Sequence, residues 1–186
     1  MNTLRTSLLF VLGLITIGVL ADEDEYHERA EHQQAMQKQN RAMHAALPLY
    51  QNECGSCHLA YPPWFLPGKS WLKIMAELDR HFGDNAEVDA KLREELTHYL
   101  LHNSADALAT RRSKRILRSI DADNTPLRIT ELAYFKREHN EIPARMVKGN
   151  DKVRSLSNCE ACHRRAQQGS FREREIDIPG FGKWDD

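Results

Sequence analysis

Hydrophobic and polar positions follow a helical period along most of the chain. Apolar residues three or four positions apart predict an amphipathic helix over residues 71–82, with Ser70 as its N-cap, and another over residues 86–101. Shorter helices are predicted over residues 111–120, over residues 131–139 after Thr130, and over residues 159–168 after Asn158. No segment, including the tail at residues 176–184, shows the strict alternation of a half-buried strand. The pattern therefore predicts an all-α fold.

The N-terminal part of the chain differs from the rest. Residues 1–21 combine a positive Arg5 with an apolar run that ends in small residues before Asp22, which predicts a secretory signal peptide. An uncleaved membrane anchor is the alternative. Residues 23–47 are rich in helix formers and poor in apolar side chains, which predicts a surface helix. We expect this helix to end before Pro48, because proline disfavours the helical conformation of the preceding residue.

Composition and charge exclude several classes of protein. The 186 residues are 41% hydrophobic and 28% charged, which suffices for a packed core and excludes a disordered chain. The 26 lysines and arginines and the 27 acidic residues give a formal net charge of −1. A general nucleic-acid binder would need a basic excess, so no nucleic-acid partner is expected. With only 4 cysteines, the chain is not a disulfide-dense miniprotein.

The four cysteines form two copies of one motif. In each copy, two cysteines are separated by two residues and followed at once by a histidine: Cys54, Cys57 and His58 in the first, and Cys159, Cys162 and His163 in the second. This spacing is the attachment signature of c-type haem. On the first turn of a helix, both thiols can reach the vinyl groups of one porphyrin, and the histidine becomes the proximal iron ligand. The sequence therefore predicts two covalently bound haem c groups.

Paired cysteines have two other common uses. Four thiolates together could bind zinc, and each pair could form a disulfide of the thioredoxin type. A zinc site does not need a histidine after each pair, and a thioredoxin-like domain would need a βαβ pattern that the sequence lacks. A secretory signal also favours haem, because c-type haem is attached outside the cytoplasm.

The second axial ligand of each iron decides between an electron carrier and a haem enzyme. A second strong ligand makes a low-spin carrier, whereas an open position allows peroxide or small-ligand chemistry. His81 is the first candidate, because it lies 23 residues after His58 at the end of a predicted helix. His139 is the second candidate and lies 24 residues before His163. Spacing alone does not decide which of the two serves which haem.

Other side chains are weaker candidates for the two sites. His98 and His102 lie one helical turn apart and could bind a metal or replace a first choice. Met146 is an alternative ligand for the second haem, and His44 is the best placed of the N-terminal histidines. The aromatic loop at residues 61–65 is expected to wrap the first haem. A basic cluster could neutralise haem propionates, dock an acidic partner or form a solvated face: Arg111, Arg112, Lys114, Arg115 and Arg118.

Several sequence blocks carry a resemblance to a known family. They are the first motif with residues 60–63, 66–67, 70–71, 74–75 and 81–83, and, further along, residues 128–130, 138–139, 158–163, 169 and 171. These blocks resemble the small periplasmic dihaem cytochromes c, often called DHC, over roughly residues 49–180. The first block is specific, whereas the second motif alone would be a generic haem motif.

The resemblance implies a mostly helical fold around two low-potential haems. Both would be bis-histidine, which supports His81 and His139 as the second ligands, whereas His98 and His102 are not part of the family pattern. Such proteins carry electrons and need no small-molecule substrate. They resemble proteins that exchange electrons with a small monohaem, oxygen-binding cytochrome and with a membrane cytochrome b.

We therefore predict a periplasmic electron carrier with three segments. After the signal peptide, a helical extension covers residues 22–48 and a dihaem domain covers residues 49–186. The first haem region is expected at residues 49–110 and the second at residues 111–180. The alternative is a haem enzyme, such as a peroxidase or a nitrogen-oxide reductase, with one open iron. Dihaem peroxidases are much longer chains as a family, which counts against it.

Overall fold

The computed structural model describes residues 20–184, and within them the side chains of residues 26–38 and 45–184. Almost all of the predicted signal peptide lies outside the described residues. The chain divides into two units, one up to Ala42 and the other from Met43 onward. None of the helices within residues 20–184 combines the length and apolar character that a membrane span requires.

Helices account for most of the regular structure. The α-helices are α1 (Leu20–Cys54), α2 (Gly68–Ala76), α3 (Ala90–His102), α4 (Ala105–Leu108), α5 (Arg111–Leu117), α6 (Ala133–Glu138), α7 (Ala144–Val147) and α8 (Cys159–Cys162). Short 3-10 helices cover Pro63–Phe65, Leu78–Arg80, Ile129–Glu131, Ala166–Gln168 and Glu173–Glu175. A small antiparallel hairpin pairs β1 (Asp177–Ile178) with β2 (Gly182–Lys183). The prediction of an all-α fold is confirmed, with this hairpin in the tail that was expected to be irregular.

Helix α1 continues past Pro48, so the expected end before this proline is wrong. A proline inside a helix removes a backbone hydrogen bond and costs about 3 kcal/mol. The next turn carries Tyr50, which is buried and whose hydroxyl donates to the carbonyl oxygen of Tyr61 at 2.6 Å. Tertiary packing of this turn offsets the cost of the proline, and the helix ends at Cys54.

Helix α2 ends earlier than predicted. It stops at Ala76 rather than at residue 82, and its N-cap is Pro67 rather than Ser70, whose side chain is buried. Phe82 has a positive φ of 54°, a strained conformation for a bulky residue. The backbone N–H of Asp84 donates to the carbonyl oxygen of His81 at 3.1 Å. His81 therefore lies in a tight turn and not in the last turn of a helix.

The later helices also begin or end at other residues than predicted. Helix α3 begins after Asp89, whose carboxylate accepts a hydrogen bond from the N–H of Leu92 at 3.0 Å. Thr130 does not cap α6, which begins after Leu132. Helix α8 has a single turn, because the backbone of His163 leaves it and pairs with Ile176 in the tail.

One hydrophobic core joins residues from α1, α2, α3, α5 and α6. Its buried members are Ala46, Tyr50, Leu66, Trp71, Met75, Leu78, Leu96, Tyr99, Leu100, Ile116, Ile129, Leu132, Tyr134 and Phe135. Further buried apolar residues of the last third of the chain lie outside this cluster: Met146, Val147, Val153, Ala166 and Ile178. The region of the second motif thus has little apolar core of its own.

Two candidate haem sites

The first motif lies at the end of a helix and not at its beginning. Cys54 is the last residue of α1, and Cys57 lies in the turn that follows. The expectation that both cysteines occupy the first turn of a helix is therefore wrong for this motif. Gly55 makes this turn possible: its N–H donates to the carbonyl oxygen of Gln51 at 3.1 Å, and a Cβ at position 55 would collide with that oxygen.

Gly55→Ala is expected to reduce loading of the first haem. The added methyl group has no room beside the backbone of α1, so the first motif must move away from its place after Gln51. We expect mass spectrometry of the purified protein to show a large fraction of chains with one haem. The control is Ser56→Ala, which adds no atom to the backbone and removes an exposed hydroxyl that donates to the carbonyl oxygen of Glu53 and lies 3.7 Å from Sγ of Cys57. Complete loading with two haems in Gly55→Ala would contradict this expectation.

The structure places His81 next to His58. Their ring centroids are 6.2 Å apart, and the ring planes differ by 17°. Two metal–nitrogen bonds of about 2 Å, together with half of each ring, give roughly this separation. Nδ1 of His58 lies 2.7 Å from the carbonyl oxygen of Leu59. Because a carbonyl only accepts, Nδ1 carries the hydrogen and Nε2 is left to bind a metal.

The second pair of histidines has the same separation. His139, just after α6, lies with its ring centroid 6.2 Å from that of His163, and the ring planes differ by 69°. Nδ1 of His139 lies 2.8 Å from the carbonyl oxygen of Phe135, so this ring also carries its hydrogen on Nδ1. The ring of Phe135 stacks on that of His139 at 3.9 Å between centroids. These contacts hold the imidazole in one orientation.

The pKa values of three of these histidines favour neutral rings. Burial lowers the pKa of His163 to about 4, and His139 and Arg112 contribute in the same direction. Burial also lowers the pKa of His81 and of His139. Nδ1 of His163 is buried with no hydrogen-bond partner among the described residues. A neutral imidazole is the form that binds a metal, so these rings suit iron ligation near neutral pH.

A cavity of about 310 Å³ adjoins the second pair, within the range of about 300–1,000 Å³ for cofactor pockets. Both His139 and His163 line it, together with Cys159 and Cys162. Its apolar and aromatic walls include Tyr61, Trp64, Phe65, Leu132, Phe135, Met146, Val153, Phe171, Ile176, Ile178 and Trp184. Three residues of the aromatic loop expected at the first haem, Tyr61, Trp64 and Phe65, therefore line the second site, while the Tyr61 ring also stacks on His58.

The first cysteine of each motif is partly buried. Burial raises the pKa of Cys54 and of Cys159 to about 11, so both are neutral thiols. All four cysteines are free of disulfides. Among the described residues, no group of three or more histidine, cysteine or acidic side chains could hold a metal ion. The free thiols of the two motifs and the two facing histidine pairs fit two haems.

The other histidines and Met146 differ in their relation to the sites. The rings of His98 and His102 lie 4.1 Å apart on α3, and neither residue lines the second cavity. Met146 is buried and does line it. The side chain of His44 lies outside the described ones. His139 and Met146 are thus both near the second site, and only His139 faces His163 at the separation given above.

The basic residues on α5 and directly after it differ in their contacts. Arg112 lies over the ring of Trp64, 5.4 Å from its centroid, and lines the second cavity. Arg115 forms an ion pair with Glu138 at 3.1 Å. Arg111, Lys114 and Arg118 are exposed. Arg115 is exposed as well, but its ion pair with Glu138 offsets its charge, which leaves the charges of the other three for a solvated face or a docking surface.

The tail contributes to the second site in a way that the sequence analysis missed. Phe171 packs against Phe65 and His163, with ring centroids 4.9 Å and 5.2 Å away. Ile176, Ile178 and Trp184 line the cavity. In the sequence, the signal for a strand in this tail is the alternation of Ile176 and Ile178, and this alternation is too short to identify a strand.

A family model for dihaem cytochrome c, DHC, matches residues 50–171. The chain belongs to the dihaem cytochrome c family. It therefore carries two covalently bound haem c groups with their irons, and the predictions of the family, the fold class and the cofactors are confirmed.

Solved structures of similar proteins agree with the family. A dihaem cytochrome c from Shewanella baltica has 43% sequence identity and a TM-score of 0.60, with 73% of this chain and 95% of that chain covered. A dihaem cytochrome c from Rhodobacter sphaeroides has 45% identity and a TM-score of 0.60, with 67% of this chain and 95% of that chain covered. A comparison with curated proteins gives no match.

Proposed function

We propose that this dihaem cytochrome c carries single electrons between redox proteins, with two histidines bound to each iron. The observation that supports this most directly is the separation of 6.2 Å between the rings of each pair, His58 with His81 and His163 with His139. The bound haem irons would supply one-electron oxidation and reduction, and two histidine ligands at each iron would leave no coordination position for a substrate.

The residues of the chain contribute rigidity and shielding. The carbonyl oxygens of Leu59 and Phe135 hold the His58 and His139 rings in one tautomer and one orientation. Ligands that do not leave or rotate limit rearrangement when the iron changes its oxidation state. The apolar walls of the second cavity exclude water, which helps to set the reduction potential of that site.

We also propose a periplasmic location and protein partners. The predicted signal peptide at residues 1–21 supports export, and haem attachment requires a compartment outside the cytoplasm. The partner classes that the resemblance suggests are a small monohaem cytochrome and a membrane cytochrome b. The exposed charges of Arg111, Lys114 and Arg118 offer a surface that attracts acidic groups of such a partner.

The test of this function is the EPR spectrum of the oxidised holoprotein. We expect two low-spin signals and no high-spin iron. The two signals should differ, because nearly parallel rings (17°) split the iron d orbitals that they contact, whereas strongly crossed rings (69°) leave these orbitals close in energy. The first site should then give a rhombic signal, and the second a strongly anisotropic one.

Two other outcomes would contradict the proposed ligation. A substantial high-spin signal would mean an open iron and would favour a peroxidase or nitrogen-oxide reductase. A near-infrared absorption band typical of a methionine-bound ferric haem would show that Met146, and not His139, binds the second iron.

Export is tested separately by cell fractionation, and recovery of the protein in the cytoplasm would contradict a periplasmic location.

A further inference from the structure

Tyr61 contacts both haem sites. Its ring stacks on that of His58, with centroids 4.9 Å apart and planes that differ by 23°. Its hydroxyl donates to the carbonyl oxygen of Ser157 at 3.0 Å, across 96 positions of sequence. The same side chain lines the cavity of the second site.

The acceptor of this hydrogen bond belongs to the loop that leads into the second motif. Ser157 precedes Cys159 by two positions, and the Sγ atom of Cys159 lies 3.7 Å from the same carbonyl oxygen. The contacts thus form a continuous path from the His58 ring, through the Tyr61 side chain and the Ser157 carbonyl, to an attachment cysteine. The path joins the proximal ligand of one site to the covalent anchor of the other.

Tyr61 is held in place from both sides. Its carbonyl oxygen accepts the hydrogen bond from the hydroxyl of Tyr50, and the next residues are the buried Pro62 and Pro63, which restrict the backbone. These contacts fix the backbone from which the Tyr61 ring and hydroxyl extend.

We propose that Tyr61 is a positioning residue that couples the two haem sites. Its ring orients the His58 imidazole, and its hydroxyl fixes the loop before Cys159 relative to that imidazole, so that electrons pass between the sites along this side chain. This proposal rests on the proposed electron-carrier function. In each exchange one electron leaves a ferrous site, which becomes ferric, and reduces the ferric site to ferrous. No covalent bond changes and no proton is transferred.

The test compares two holoprotein variants that each lose one hydroxyl. Tyr61→Phe keeps the ring on His58 and removes the hydrogen bond to Ser157. The matched control Tyr99→Phe removes a hydroxyl from a buried tyrosine of α3 that packs against Tyr50 and does not line the second cavity. A photoexcited flavin reduces only a small fraction of the haems. The redistribution of these electrons between the two haems is then followed by optical absorption. We expect this exchange to slow severalfold in Tyr61→Phe and to be unchanged in Tyr99→Phe.

A second variant tests the role of the ring and does not depend on the exchange measurement. Tyr61→Leu removes the stacking partner of His58, so we expect the EPR signal of the first haem to change while the haem stays low-spin. Unchanged exchange in Tyr61→Phe, or an unchanged first signal in Tyr61→Leu, would overturn the proposal. High-spin iron in the unmodified protein would instead refute the electron-carrier function, so the two failures are distinguishable.

Discussion

In a His81→Ala variant, the first haem is expected to become high-spin while the second haem stays low-spin. The substitution removes the ring that faces His58. The other histidine candidates, His98 and His102, are engaged in mutual ring contact on α3. One of the two low-spin EPR signals, the rhombic one, should then be replaced by a high-spin signal. The reduction potential of that haem should rise, because a neutral donor that stabilises ferric iron is lost.

The control for this variant is His98→Ala, which removes an exposed imidazole from α3 and should leave both signals unchanged. If the first haem of His81→Ala stays low-spin with an unchanged potential, the assignment of His81 is wrong. The matching variant at the second site is His139→Ala. A low-spin signal that survives there would identify Met146 as a ligand able to replace it, because this side chain lines the same cavity.

The haem-free chain is expected to show no cooperative thermal unfolding transition. Each haem offers large apolar faces, and without them the walls of the second cavity face water or an empty space. Residues 140–184 have only a few buried apolar side chains, which lie outside the main core cluster. We therefore expect this part to lose its structure first and most completely.

The measurement uses a variant in which all four attachment cysteines are replaced by serine. Its circular dichroism is followed on heating, and hydrogen exchange then locates the loss of protection, which we expect to be greatest at residues 140–184. The control is the unmodified holoprotein under the same conditions. A sharp transition in the haem-free chain, or protection of residues 140–184 equal to that in the holoprotein, would contradict this expectation.

The ends of the helices show where sequence signals are overruled. Pro48 and Ser70 carry strong local preferences, and neither sets a helix boundary. Their neighbours Tyr50 and Trp71 are buried in the core, and this burial outweighs the local preferences of the chain. The turn at Phe82 is a further case, since a positive φ at a phenylalanine cannot be inferred from its residue type.

The sequence predicted the histidines of the two sites but not the packing around them, because that packing depends on residues that are distant along the chain. His81 and His139 were chosen from spacing, and spacing left their pairing with the two motifs open. The folded chain places them beside His58 and His163. The aromatic loop was expected at the first haem, yet Trp64 and Phe65 line the second cavity, because Phe171 from the distant tail packs against both of them.

The sequence by itself determined the family, the helical class and the use of all four cysteines. It could do so because the chemistry of each motif lies within five consecutive residues, whose mutual distances are set by covalent geometry. Only the tertiary structure decided which histidine faces which motif and that Tyr61 joins the two sites. Those contacts cross up to 96 positions of the chain, and packing of the whole fold, rather than any local signal, sets their distances.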